Sequence, residues 1–335
     1  MARRRRRGLV VLGLVPVLLG AGVAHAAERA DLVEVSVSKP PGSVAAGMGF
    51  TAKDKVKNAG GRRAGRSATG YYLSKDRKRS KGDVRLGRRQ VPRLKPGKAS
   101  AGSRAVVVPA GLAFSRYYLI ACADDKKAIR EAKEGNNCRA SRSRVRVRAP
   151  TCREQMTLLG MEYTRGPATL GIADPVTVHP PIAGVTYTVN GNVNKDILMD
   201  CSLSLVLHEM TTGLLDLGVD EVEHFGVYNY RCNIDPGPPP DCPSGLSQHA
   251  YGTAIDLVAF SVGEITYDLE DDWDAQLAAE PCTHVPPTAE HQWLRDLACG
   301  WYEAELFNII LTPDYNASHY NHFHVDLTPD AHFIG

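Results

Sequence analysis

The chain has 335 residues, of which 43% are hydrophobic and 23% charged. That balance excludes a mostly disordered chain, and the length leaves room for about two domains. The net charge of +3 conceals a division: residues 27–150 hold 30 Lys and Arg against 10 Asp and Glu, whereas residues 151–335 hold 5 against 27. Ten of the 11 histidines lie beyond residue 150, so a histidine-dependent site belongs to the second, acidic unit.

Residues 1–26 read as a signal peptide. Arg3 to Arg7 form a basic block, Gly8 to Val23 carry no charge, and Ala24-His25-Ala26 is a small-x-small cleavage site. The apolar run is short for a bilayer span, and Pro16, Gly20 and Gly22 weaken it further. The expectation is a secreted or periplasmic bacterial protein of the cell envelope, beginning near Ala27, with no membrane span. The eight cysteines fit an oxidising compartment. Cys122 and Cys138 lie in the basic unit and pair with each other if the units are independent. Six lie in the acidic unit and allow about 15 connectivities; proximity favours Cys232–Cys242 and Cys282–Cys299, which leaves Cys152–Cys201.

In the basic unit, short alternating stretches recur between turn signals. They run Leu32 to Val37, Phe50 to Lys57 (closed by Asn58-Ala59-Gly60-Gly61), Thr69 to Leu73, Val84 to Leu94, Ala105 to Val108, Tyr117 to Cys122 and Val145 to Val147. Seven short strands predict an all-β, immunoglobulin-like sandwich over residues 27–150. Arg142, Arg144, Arg146 and Arg148 alternate with smaller residues, which on a strand sets four guanidinium groups on one face. Such a charge excess suits an anionic envelope polymer or the acidic unit as partner, or only a solvated face. Nucleic acid is not expected, since no recognition motif is present.

Asp31-Leu32-Val33, Val56 to Gly60, Tyr71 to Ser74, Tyr117 to Asp124 and Glu134 to Cys138 resemble the CARDB family of bacterial adhesion-type modules. The resemblance implies a seven-stranded sandwich with an accessory or binding role and no catalytic residues.

The acidic unit, residues 151–335, opens after Ala149-Pro150 with an irregular Pro- and Gly-containing stretch through Gly191. Asp196 to Leu217 predicts a helix and Val222 to Tyr230 a strand; Pro236 to Pro243 is a proline-rich loop. Ala254 to Phe260 predicts a buried strand, Ala289 to Cys299 a helix, and Phe307 to Leu311 and His322 to Leu327 two further strands. Helices and strands without regular alternation predict an α+β domain.

Two clusters carry the chemistry. In Ser247-Gln248-His249-Ala250-Tyr251-Gly252-Thr253-Ala254-Ile255-Asp256, seven residues separate an imidazole from a carboxylate. On a straight strand that is about 24 Å, and on a straight helix about 10.5 Å. Only a bend at Gly252 brings both groups to one ion. In His319-Tyr320-Asn321-His322-Phe323-His324-Val325-Asp326, a strand turns His322, His324 and Asp326 one way and Phe323 and Val325 into the core. Imidazole and carboxylate both bind zinc, and a neighbouring imidazole serves as base or acid. His208-Glu209 is not a metallopeptidase motif, because positions 211 and 212 are Thr. It is read as helix surface, and His179, His224, His284, His291 and His332 are read as structural.

Ser247, His249, Gly252, Ala254 and Asp256 resemble the signature of zinc D-Ala-D-Ala carboxypeptidases of the peptidase M15 type. Pro313 to Ala317 with His319, His322, Phe323, His324 and Asp326 resembles the extensin-like C-terminal family. The resemblance implies Zn2+ held by His249, Asp256 and His324, with His322 as general base and acid and His319 assisting at the oxyanion or leaving group. It also implies peptidoglycan stem peptides as substrate, cleaved by a carboxypeptidase or endopeptidase. Many M15 enzymes place a Glu as base before the last ligand; here position 321 is Asn, a pattern closer to the murein endopeptidase branch. Arg231 is the candidate for binding a substrate carboxylate, and Ser247 is expected beside the substrate. The alternative is a non-catalytic wall-binding or adhesion protein that keeps a hedgehog-like metal site.

Overall fold

The computed structural model describes residues 28–233, 239–275 and 280–335. The expected signal peptide lies outside the described residues, as does part of the proline-rich loop. Among the described residues no helix is long and apolar enough to cross a membrane. Two compact units form: of the described residues, 28–42, 50–106 and 116–145 belong to the first, and 43–49, 107–115 and 146–335 to the second.

Eight strands form the N-terminal part: β1 (Leu32–Val37), β2 (Ser43–Ala45), β3 (Gly49–Asn58), β4 (Ser67–Ser74), β5 (Val84–Val91), β6 (Ala99–Val107), β7 (Arg116–Cys122) and β8 (Cys138–Arg148). One sheet runs β1-β3-β6 and the other β2-β8-β7-β4-β5. Ala52 of β3, Val106 of β6, Tyr71 of β4, and Leu119 and Ala121 of β7 share one buried cluster, so the two sheets close over a common core as a sandwich. β2, which sequence reading missed, is only three residues long and pairs parallel with the end of β8. β8 is longer than expected because its outward arginines interrupt the apolar pattern at every second position. Val145 and Val147 are buried, while Arg142, Arg144 and Arg146 are exposed. Arg148 leaves that row, since it grips both oxygens of Glu154 at 2.6 and 2.8 Å.

Among the described residues, the second unit is β-rich with four helices. In chain order it contains α1 (Cys152–Leu158), β9 (Tyr163–Arg165), β10 (Pro175–Val178), β11 (Thr186–Val189), β12 (Asn192–Val193), β13 (Ile197–Asp200) and α2 (Cys201–Asp216). There follow β14 (Glu221–Gly226), α3 (Gln248–Tyr251), β15 (Ala254–Val262), β16 (Ile265–Asp268), α4 (Ala289–Glu303), β17 (Ile309–Leu311), β18 (Phe323–Asp326) and β19 (Phe333–Ile334). The main sheet has the order β12-β11-β14-β15-β18-β17-β19, with β16 beside β15; a second sheet runs β13-β10-β9.

α2 turns Leu203, Leu207, Met210 and Leu214 inward at helical spacing, each contributing roughly 1.5–3 kcal/mol by leaving water. α4 does the same with Leu294, Leu297, Ala298 and Trp301. These faces meet Phe260, Phe323 and Val325 of the sheet in one core.

The stretch expected to be irregular, 151–191, holds α1 and three strands of three or four residues, too short to show a period. The helix expected from Asp196 starts only at Cys201. Ile197–Asp200 pairs antiparallel with β10, and Asp200 then caps α2 by accepting from the Ser202 N–H at 2.9 Å. β14 stops at Gly226, four residues before the expected end, and residues 227–230 leave the sheet. Four disulfides form, Cys122–Cys138, Cys152–Cys201, Cys232–Cys242 and Cys282–Cys299, as expected: two from proximity, one as the remaining pair and one from the separation of the units.

Candidate metal centre

Asp256 and His324 are opposite partners on the antiparallel pair β15–β18. The flanking pairs, Ile255 with Val325 and Leu257 with Phe323, are fully buried in the core. Alternation along a strand therefore turns Asp256 and His324 to the other face. His249 arrives from α3, a single turn whose N-cap Ser247 accepts from the His249 N–H at 3.4 Å. The chain reverses at Gly252 with φ of +66°. A Cβ there would also lie 2.9 Å from the Asp200 nitrogen, so both conformation and space require glycine.

His249 Nε2, His324 Nδ1 and Asp256 Oδ1 form a triangle with sides of 3.1, 3.2 and 3.0 Å. A tetrahedral ion with bonds of 2.0–2.1 Å needs sides of about 3.3 Å, so a small relaxation admits one. The outer ring nitrogens fix the tautomers. His249 Nδ1 lies 2.6 Å from the Val227 carbonyl oxygen, which can only accept. His324 Nε2 lies 3.0 Å from Asp326 Oδ2. Each outer nitrogen donates, so each inner one presents a lone pair. Three acceptors then converge, and only a cation or a proton can stabilise them.

The electrostatics agree. Burial opposes ionisation of Asp256, but the adjoining imidazoles of His249 and His324, which share a proton when no cation is bound, outweigh it and hold its carboxyl well below the usual range. Burial likewise opposes charge on His324, yet Asp256 and Asp326 push it up to about 9. Without an ion the cluster keeps a proton, so positive charge is favoured there either way.

His322 stands beside this triad. Its Nε2 is 3.7 Å from Asp256 Oδ1, its Nδ1 is 3.1 Å from Asn321 Oδ1, and Phe225 meets its ring edge-on at 5.6 Å. His319 Nδ1 lies 2.9 Å from Asn316 Oδ1, and its ring centre is 5.1 Å from that of His322. Burial, reinforced by neighbouring imidazoles, holds His319 down to about 4 and lowers His322 as well. Both are neutral at pH 7. A cleft of about 290 Å³ opens over His249 and Asp256, walled by Phe225, Tyr228, Asn229 and Arg231.

The family model of the extensin-like protein C-terminus matches residues 151–333. The chain belongs to that family. Ahead of the extensin-like region, the CARDB family model matches residues 29–141. No curated protein matches the chain. Among solved structures, the chain is similar to a CARDB domain from Pyrococcus furiosus, crystallised with di-metal ions. Identity is 20%, over 37% of this chain and 97% of that one, with a TM-score of 0.28. A putative cell surface protein domain from Methanosarcina acetivorans is 18% identical over 36% and 93%, with a TM-score of 0.27. A Listeria innocua β-glucosidase is 12% identical over 37% of this chain and 17% of its own, with a TM-score of 0.25.

Within the extensin-like region, the residues singled out in the sequence fall into two groups. His249, Asp256 and His324 converge, and His322, His319 and Arg231 stand around them. Ser247 does not face the cleft: it is buried at 4% exposure, and its hydroxyl is spent capping α3. His322 precedes β18 rather than lying on it, so it does not share the strand face of His324. Asp326, noted for its strand face and within the extensin-like pattern but given no role, is the carboxylate that orients His324. The Val227 carbonyl and Phe225 gave no sequence signal. The other histidines stay apart: His179 bonds Asp196 at 2.7 Å, His284 bonds Asp274 at 2.9 Å, and His332 stacks on Tyr302. His224 is buried with neither ring nitrogen partnered among the described residues, and burial lowers it to about 4, so it is neutral.

Proposed function

We propose that the extensin-like region is a zinc-dependent peptidase acting on peptidoglycan stem peptides. The supporting observation is the convergence of three lone pairs, from His249, Asp256 and His324, beneath an open cleft. Two neutral imidazoles and one carboxylate suit Zn2+ in a site that keeps a position open. The resemblance of Ser247 to Asp256 to the M15 signature points to peptide hydrolysis. Zinc bound there supplies Lewis acidity toward a carbonyl and toward water.

The chain's own residues supply the rest. His322 is the nearest imidazole outside the triad, and its Nε2 faces Asp256, so it takes a proton and returns it to the leaving amine. His319 backs His322, with ring centres 5.1 Å apart, and assists at the oxyanion or the leaving group. Arg231 on the cleft wall offers a planar fork to a peptide carboxylate.

The test is mass spectrometry of purified wall peptides incubated with the protein, with and without chelator. The expected result is a cut peptide bond, lost with chelator and restored by zinc. His322→Ala should keep its metal while turnover falls by about 10²–10⁴-fold. Metal-loaded protein that binds these peptides and leaves them intact would instead establish the non-catalytic wall-binding reading.

A further inference from the structure

We infer that the sandwich unit has its own binding groove for a linear phosphodiester polyanion, independent of the metal centre. A concavity of about 630 Å³ is lined by Lys39, Arg77, Arg139 and Arg142, and no acidic residue joins its wall. All four cations are exposed. Three arginines elsewhere in this unit are neutralised locally: Arg79 pairs with Asp83, Arg88 with Asp125 and Arg89 with Asp54. Among the described residues the four groove cations take part in no ion pair. Like charges gathered around one hollow repel one another, and an anion entering it relieves that cost.

The groove is also preorganised. Arg77 Nη2 donates to the carbonyl oxygens of Ser141 and Arg142 at 3.4 and 3.2 Å. Its guanidinium lies 5.2 Å from the centre of the Tyr118 ring. Arg144 lies 5.5 Å from the same ring. Arg142 and Arg144 sit on one exposed face of β8, about 6.7 Å apart along the strand. Such a row continues the groove and matches a repeating charge better than one small anion. A planar base would need an open aromatic platform. Tyr118, the ring at this place, is already covered by two arginines. The occupant that fits is a flexible polymer of polyol units joined by phosphodiesters.

The probe is poly(glycerol phosphate) of about 20 units, titrated against the full-length chain at several salt concentrations. Wild type should bind with a steep salt dependence. Arg77→Glu, Arg139→Glu and Arg142→Glu together should cost more than about tenfold at roughly 0.15 M salt and reduce the logarithmic salt slope by about two. Arg93→Glu, Lys95→Glu and Lys98→Glu, exposed residues between β5 and β6 that are absent from the groove wall, make the same change in net charge. They should cost less than about threefold, because the groove is untouched. The milder pair Arg139→Gln and Arg142→Gln, which leaves the Arg77 hydrogen bonds in place, should lose several-fold with an unchanged melting temperature. Equal losses in the groove and control variants would reduce the effect to diffuse attraction and overturn the inference. So would no binding by wild type, or oligothymidylate of equal charge binding as tightly as the phosphodiester polymer.

Discussion

In the sandwich, Asp54 lies buried beside Glu34, and every strong partner is supplied from within. Arg89 pairs with Asp54, Tyr71 donates its hydroxyl to Asp54, and Thr69 donates to Glu34 at 3.0 Å. Burial, together with the charge on Asp54, pushes Glu34 up to about 8, so it carries its own proton at neutral pH. In the second unit Asp256 is half-buried against two imidazoles whose outer ring nitrogens are turned to Val227 and Asp326. The first arrangement leaves one buried atom, Glu34 Oε2, without a partner among the described residues; the second leaves three lone pairs facing one point. Buried acid is therefore no mark of a site by itself, and what matters is which atoms the surroundings leave unanswered.

The contrast can be broken most forcefully at the triad. His324→Ala removes one ligand and uncovers Asp326, so affinity for zinc should fall by more than about 10³-fold, read by competition with a chelating dye. Retention of tight stoichiometric zinc would show that the metal sits elsewhere.

Next comes the Glu34 cluster. A carboxyl whose folded pKa is raised contributes its full stability below its unfolded pKa of about 4.5, and loses it as pH rises through the folded value. Protonated Glu34 should thus make the sandwich about 3 kcal/mol less stable at pH 7 than at pH 4.5. Glu34→Gln should flatten that slope, seen in denaturant melts across the range. An unchanged slope would place the proton on another group.

Asp326→Asn keeps the size of the His324 partner but removes its charge. Metal affinity should fall about 10–100-fold, and a variant that binds zinc like wild type would strip Asp326 of its orienting role. The smallest expected effect belongs to Ser247→Ala. Loss of the α3 cap should cost about 1 kcal/mol and weaken metal binding only several-fold. Loss of peptide affinity with metal binding unchanged would return Ser247 to the substrate.

The convergence of His249, Asp256 and His324, with His322 beside them, was legible in the sequence, because a bend at Gly252 brings the first two groups together and strand alternation sets the third apart from the core. The placement of Phe323 and Val325 in the core was legible too, from alternation alone. Other features depend on which segments become neighbours. Nothing in residues 221–230 announces that β14 ends at Gly226 and lends the Val227 carbonyl to His249, 22 residues away. The helix predicted from Asp196 began too early because Ile197, Leu198 and Met199 fit a helix as well as a strand, and only pairing with β10 decides. Ser247 was misplaced because a hydroxyl next to a ligand histidine reads alike as cap and as substrate contact.

The register of β15 against β18 has a further consequence. The same eight residues that set Asp256 against His324 also bring Ile255 to Val325 and Leu257 to Phe323. Sliding either strand by a single position would turn that strand's own charged residue into the hydrocarbon interior and expel its two apolar residues. A slip of one position therefore cannot keep the interior while losing the triad. The contacts that hold the interior in register against such a slip also hold the three side chains in alignment.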